Sequence, residues 1–292
     1  MTTMPTPISA IILTKNEARQ LPECMATLQW ADEILVVDSF STDDTVAIAS
    51  AAGARVLQHP FSNFAAQHNY AQSQAAHNWV LFVDADERVS GPLRDEIVAL
   101  AQADRLAPCT AYHFERVHLV SGRWLFSDSK KRRLTPRQRA DIRRREVPRL
   151  LDRRHAVWTR PLHEEVRAPE PHGVLNGVLC HLSGSNLSAA LESFNYYTDL
   201  EAAYLHRGRR QPVTLWEAAA RGARAFAFHY VLRGGFRYGQ HGLLQALSAG
   251  ITKYMNYAKL WERQLIERDE GQWSEADRQL LKRYYIEDED QP

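Results

Sequence analysis

Apolar and polar positions alternate in two distinct rhythms along the chain. In the first hundred residues, short apolar, β-branched runs at 8–13, 33–38, 55–58 and 79–84 predict strands. Between them, 18–28, a segment running to Gly53, and 64–75 predict helices. Ser41 and Asp44 carry the S-x-x-D spacing of a capping box, which predicts that they open the second helix. The run at 79–84, WVLFVD, is almost uninterruptedly apolar, as a central strand buried on both faces requires. Strand–helix alternation of this kind predicts an α/β domain with a mostly parallel central sheet, right-handed crossovers and flanking helices.

After Pro92 the rhythm changes. A helix is predicted over 92–102, strands over 111–117 and 122–125, and a further apolar stretch over 174–180. From 187 onwards only helical periodicity is left, over 187–205, 214–233, 243–264 and 274–283. The division predicted is an α/β domain over 1–185 and a helical C-terminal region over 186–292, with an acidic tail at 287–292.

Composition changes this picture little. Lys plus Arg number 36 against 35 Asp plus Glu, so no global charge draws the chain to nucleic acid. The balance is uneven locally: 127–154 is strongly basic, with Lys130-Lys131-Arg132-Arg133 and Arg143-Arg144-Arg145. That run lacks a nucleic-acid motif or interleaved stacking aromatics and reads mainly as a solvated face. The three cysteines are widely separated, as expected in a reducing compartment. Neither a secretory signal nor a run of the roughly 20 apolar residues that span a bilayer is expected here. Aromatic residues among Arg and Lys in the C-terminal helices predict peripheral contact with an anionic membrane.

Candidate chemistry collects where parallel strands end, because ligands bind outside their carboxyl ends. Those ends carry Thr14-Lys15-Asn16-Glu17, Asp38-Ser39 and Asp84-Ala85-Asp86-Glu87. Two carboxylates spaced i, i+2 at a strand exit suit a hard divalent cation, Mg²⁺ or Mn²⁺, with substrate phosphates completing its shell. Such a cation neutralises a nucleoside diphosphate leaving group. Asp38 is placed to accept hydrogen bonds from a base or ribose. Arg149, between apolar neighbours in VPRLL, offers a guanidinium fork for phosphate. His181 is a candidate metal ligand or diphosphate contact.

The segments ISAIILTKNEA, EILVVDSFSTDDT and WVLFVDADE, in this order and spacing, resemble the nucleotide-binding half of family 2 glycosyltransferases of the GT-A fold. Within that family the chain looks most like bacterial lipopolysaccharide-core β-glucosyltransferases. The shared features are the Asp-Ala-Asp-Glu motif, Pro148-Arg149-Leu150, Leu162-His163-Glu164, and the stretch from Gly239 to Lys259-Leu260. The resemblance implies inverting transfer of a hexose, glucose from UDP-glucose, to a lipopolysaccharide inner-core sugar. It implies that Thr14, Asn16 and Glu17 line the nucleotide pocket, that Asp38 meets the base, and that Asp84 and Asp86 serve ribose, diphosphate and metal. An inverting displacement needs a base opposite the leaving group. Glu164 and Glu165 are the candidates, and the resemblance favours Glu164. His68 stands where close relatives are expected to carry Lys, so a phosphate contact there would be pH-sensitive. The setting implied is cytoplasmic, peripheral on the inner face of the inner membrane.

One alternative acceptor class and two alternative functional classes stand beside this reading. Another cell-envelope glycan or a lipid-linked acceptor would use the same site. A nucleotidyltransferase would carry a glycine-rich phosphate loop near the first strand, and TKNEARQL has no glycine. A non-catalytic saccharide- or lipid-binding scaffold would be expected to have lost the metal carboxylates or the base.

Overall fold

A computed structural model describes residues 5–120, 123–125, 134–160, 164–182, 187–208, 211–269, 274–276 and 279. The chain divides into two compact units, Met1–Ser183 and Gly184–Pro292.

In the first unit, β1 (Ile8–Thr14), β2 (Glu33–Asp38), β3 (Arg55–Gln58) and β4 (Trp79–Phe82) lie parallel in the order β3-β2-β1-β4. The sheet continues from β4 through β8 (Leu150–Asp152), β6 (Ala111–Val120), β11 (His172–His181) and β5 (Glu87–Val89). β7 (Arg123–Leu125) pairs with β6, while β9 (Val157–Thr159) and β10 (Glu165–Arg167) form a separate ribbon. The flanking helices are α1 (Leu21–Ala26), α2 (Thr45–Ala51), α3 (Phe64–Gln74), α4 (Gly91–Gln102) and α5 (Pro136–Arg145).

The apolar strand runs predict this sheet because both faces are covered. Ile8, Ala10 and Ile12 face a core that includes Leu21, Cys24, Leu93 and Ile97 of α1 and α4. Ile11, Val80 and Phe82 face the opposite core, with Ala65 and Ala71 of α3 and Trp158. Each large side chain so buried stabilises the fold by roughly 1.5–3 kcal/mol. β1 and β2 are in a register that sets Thr14 opposite Asp38, and β2 and β3 in one that sets Asp38 opposite Gln58. The strands therefore end level, and their polar exits share one edge.

Several local expectations are corrected. The helix predicted over 18–28 shrinks to Leu21–Ala26, because residues 15–20 are drawn into the loop beside β2. The capping box of Ser41 and Asp44 does not form. Asp44 sits at the N-cap of α2 without a side-chain cap, while Ser41 is hydrogen-bonded to Asp38. Part of the basic run is helix α5, capped by a true box of Thr135 and Gln138. Its single buried apolar residue, Ile142, left almost no periodic signal. Lys130–Arg133 and most of the helix expected over 274–283 lie outside the described residues.

The second unit is helical: α6 (Leu187–Gly208), α7 (Leu215–Ala227) and α8 (Gly239–Asp269). Between α7 and α8 lie a π turn, Phe228–Leu232, and a 3-10 turn, Gly235–Tyr238. Val213, Ala218, Tyr257 and Leu260 form its small core, with Leu205 packed against it. Arg221 lies over the Tyr257 ring at 4.3 Å, and Lys259 pairs with Asp199 at 2.7 Å. Among the described residues, no helix is long and apolar enough to cross a membrane.

Candidate active site

The loops after β1 and β2 are stitched together side chain to backbone. Thr14 Oγ1 donates to Asp38 Oδ1 at 2.9 Å, and the Asn16 N–H donates to Ser41 Oγ at 2.8 Å. Asn16, with φ 56°, holds the left-handed conformation that asparagine tolerates. Its Oδ1 accepts from the Thr42 N–H at 2.8 Å. The Glu17 N–H donates to Thr45 Oγ1 at 2.8 Å. Asp38 is fully buried, and besides Thr14 it accepts from the Ser41 N–H and hydroxyl and, at 3.4 Å, from Gln58 Nε2. Ser41 thus shapes the pocket loop instead of capping a helix.

The chain leaving β4 makes a tight acidic turn. The Asp84 N–H donates to Glu87 Oε2 at 2.9 Å, and the Glu87 N–H to Asp84 O at 2.8 Å. Glu87 is wholly buried. Burial, then the neighbouring Asp84, raises its pKa from 4.5 to about 7, against the attraction of Arg149 and Arg116. Arg149 grips Asp84 bidentately, Nη1 to Oδ1 at 3.1 Å and Nη2 to Oδ2 at 3.0 Å. Partial desolvation opposes ionisation of Asp84, whose side chain stays 41% exposed, yet the guanidinium overrides it and holds the carboxyl well below the usual carboxylate range. Arg149 is in turn held charged by Asp84, Glu87 and Glu164, despite its own burial.

Asp86 faces a different partner. Its Oδ2 lies 2.9 Å from His181 Nε2, and His181 Nδ1 lies 2.9 Å from His118 Nδ1. Neighbouring strands β11 and β6 supply the two imidazoles, in a register that sets His181 opposite His118. A consistent neutral arrangement has His181 Nε2–H donating to Asp86 and His118 Nδ1–H donating to His181. Glu17 faces the same corner. Burial, followed by repulsion from Asp86, Asp43 and Asp84, raises its pKa to about 7. Glu17, Asp84 and Asp86 therefore act on one another across this corner, with Arg149 as the cation paired to Asp84.

Of the two candidate bases, Glu165 pairs with Arg160 at 2.7 Å on the surface ribbon. Glu164 is instead among the charges that act on Arg149. Leu162 and His163 lie outside the described residues. His68 is buried, stacked on Trp158 at 4.0 Å, and donates through Nδ1 to the Phe64 carbonyl at 2.8 Å. Burial, then Arg149, pushes its pKa down to about 4. It is neutral near pH 7, so the pH-sensitive contact expected there does not titrate around neutrality.

Residues 9–153 match the family model described as "Glycosyl transferase family 2". The first unit carries a glycosyltransferase family 2 domain. Its fold is GT-A-like, with a central sheet, flanking helices and a helical region after it. The family 2 domain lies in a chain that is 26% identical to an uncharacterized glycosyltransferase of Rickettsia prowazekii, over 87% of this chain and 86% of that one. It is also 26% identical to the "Lipopolysaccharide core biosynthesis glycosyltransferase LpsC" of Rhizobium meliloti, over 89% of this chain and 94% of that one. S. aureus TarS 1-349, solved in complex with UDP-GlcNAc, aligns with a TM-score of 0.48 at 17% identity, over 88% of this chain and 90% of that chain.

Three residues that the structure brings beside these candidates were not singled out from the sequence. Arg116 and His118 stand two apart on β6, so the strand alternation of HFERVHL puts them on one face. Glu87 was visible in the acidic cluster, but its burial was not.

Proposed function

We propose that this chain is an inverting hexosyltransferase that moves glucose from UDP-glucose to a lipopolysaccharide inner-core sugar. The observation that carries the reading is the convergence of Glu17, Asp84 and Asp86 on one corner at the strand exits, with Arg149 and Glu164 beside it. The lipopolysaccharide-core role in the name of the Rhizobium meliloti relative supports the acceptor class. Another cell-envelope glycan or lipid-linked acceptor would use the same machinery.

A divalent cation, Mg²⁺ or Mn²⁺, fits the residues present. Asp86 and Asp84 lie close enough to Glu17 to add to the effect of its burial, and Asp86 with His181 offers an oxygen and a nitrogen donor side by side. Among the described residues no three His, Cys, Asp or Glu side chains are grouped to hold an ion by themselves. A cation there would draw its remaining ligands from substrate phosphates. When bound, it neutralises charge developing on the diphosphate.

The chain's own residues then divide the work. Asp86 would hold the cation, with His181 beside it once its proton sits on Nδ1 towards His118 and frees Nε2, and Asp84, fixed in orientation by Arg149, would assist through ribose or metal. Thr14, Asn16, Glu17 and Asp38 shape the nucleotide pocket, and Arg149 stands at the diphosphate side. Glu164 takes the proton of the acceptor hydroxyl, since Glu165 is engaged by Arg160. In this reading residues 1–185 are the catalytic domain, and 186–292 face the acceptor or membrane at the inner face of the inner membrane.

The test is calorimetric titration of UDP, with and without Mn²⁺ or Mg²⁺, against wild type and Asp86→Ala. Metal-dependent binding that the variant loses supports the reading. If UDP fails to bind under either metal the donor is another nucleotide, and if ADP, GDP and CMP also fail, the transferase reading falls.

A further inference from the structure

Towards its turn the helical hairpin of α7 and α8 is packed inside out, while Tyr257 and Leu260 fill a core beside the start of α7. Its inner contact is made by small residues. Ala218 and Gly222 on α7, and Ala246 and Gly250 on α8, are buried and spaced four apart, so each pair occupies one helix face. The backbones touch there: a Cβ on Gly222 would lie 2.9 Å from the Gly250 carbonyl oxygen, and one on Gly250 3.1 Å from that of Gly222. At the turn, a Cβ on Gly242 would collide with the Gly235 carbonyl.

Large apolar side chains point outward. Trp216 is 87% exposed, Leu232 77% and Val231 58%, with Phe228 and Phe236 about half exposed beside them in the chain. Leu247 and Ile251, again four apart, line an exposed face of α8. A helix pair surrounded by water hides its large residues and leaves small ones outside. Small residues between helices and large ones outside are the arrangement that lipid favours.

Charge identifies the partner independently. No Asp or Glu occurs between Glu217 and Glu262, whereas Arg221, Arg224, Arg233, Arg237, Lys253 and Lys259 do. Arg224, Arg233 and Arg237 are exposed, and the Arg237 guanidinium sits over the Phe236 ring at 5.5 Å. Such side chains cover apolar surface with their stems and keep their heads at a polar boundary. A two-fold contact with a second copy would bring arginines against arginines.

We infer that the α7–α8 hairpin is a membrane-interface element, whose turn Phe228–Leu232 and Phe236 enter the headgroup–acyl boundary of an anionic bilayer. The insertion is shallow, because neither helix is long and apolar enough to span. This names the surface behind the peripheral attachment proposed above, and it stands whatever sugar is transferred.

The test is flotation of the full chain with phosphatidylcholine vesicles, pure or with about a third phosphatidylglycerol, at low and high salt. Wild type is expected to float with the anionic vesicles. The double variant Val231→Asp/Leu232→Asp is expected to lower binding about tenfold or more. Arg233→Gln/Arg237→Gln is expected to lower the preference for anionic over neutral vesicles by roughly tenfold. The far-ultraviolet circular dichroism and UDP titration of both variants should match wild type. The inference is overturned if wild type stays at the bottom at low salt, or if the aspartate variant floats equally well. It is also overturned if sedimentation shows a dimer that this variant dissociates, which would assign the face to a second copy. Flotation without any UDP binding would sink the donor reading and leave this one intact.

Discussion

Replacing Glu87 with glutamine isolates the electrostatic strain of the acidic turn. Glu87 is fully buried and receives the Asp84 N–H at 2.9 Å, a bond that a carboxamide oxygen also accepts. Burial and Asp84 move its pKa from 4.5 to about 7, so between those values the folded chain binds more protons than the unfolded one. By linkage, this contribution to stability is fully present below pH 4.5 and is lost as pH rises through about 7. At roughly 1.4 kcal/mol per pKa unit, the loss across this window is about 3 kcal/mol. The Arg116 contact, at 3.4 Å from a guanidinium one-third exposed, offsets little of it. In metal-free buffer at pH 5, Glu87→Gln should match wild type within about 1 kcal/mol, and at pH 8 it should be the more stable by about 2–3 kcal/mol. Urea denaturation at half-unit steps of pH measures the difference directly. A difference that stays flat with pH, or that grows in favour of wild type as pH rises, refutes the argument.

Other perturbations address other parts of the site and the hairpin. Arg149→Met removes both bonds to Asp84; because that carboxylate is 41% exposed, the cost is discounted to about 2 kcal/mol, and Arg149→Lys should recover less than half of it in the same denaturation assay. Glu164→Gln should lower kcat by about 10²–10⁴-fold with KM little changed, and should remove the acidic limb of the pH–rate profile, as steady-state kinetics will read. Gly222→Val forces the Gly250 carbonyl away from α7 and should cost about 2 kcal/mol in the helical unit, seen as a lower melting temperature.

The sequence carried the strand-end clusters well, because parallel strands with level registers bring their exits together. Thr14, Asp38 and Asp84 could be placed on that argument alone. What it could not carry was pairing at long range. Arg149 meets Asp84 only because β8 lies against β4, setting Leu81 opposite Leu150. His118 meets His181 only through the β6–β11 register, which a bulge between Val174 and Val178 adjusts. The S-x-x-D spacing misled because Ser41 had a stronger call from Asp38 than from a helix terminus. α5 was hidden by its charge. In the C-terminal helices periodicity showed where each helix runs, yet an apolar stripe does not say whether it faces protein, and here small residues hold the inner face.

The insertion of β8 between β4 and β6 also orders events on a growing chain. β1 to β4 can pair among themselves as soon as they are made, but Trp79–Phe82 then presents an open edge until residues 150–152 arrive. All four of those side chains are buried in the finished sheet, so the unfinished edge is a template for other chains. A fragment ending before β8 should therefore aggregate. The strand that closes this edge brings Arg149 with it, so the sheet is sealed and Asp84 acquires its counter-ion in one step. Glu164 and His181 lie further along the chain, so the candidate site is completed only after the edge has been sealed.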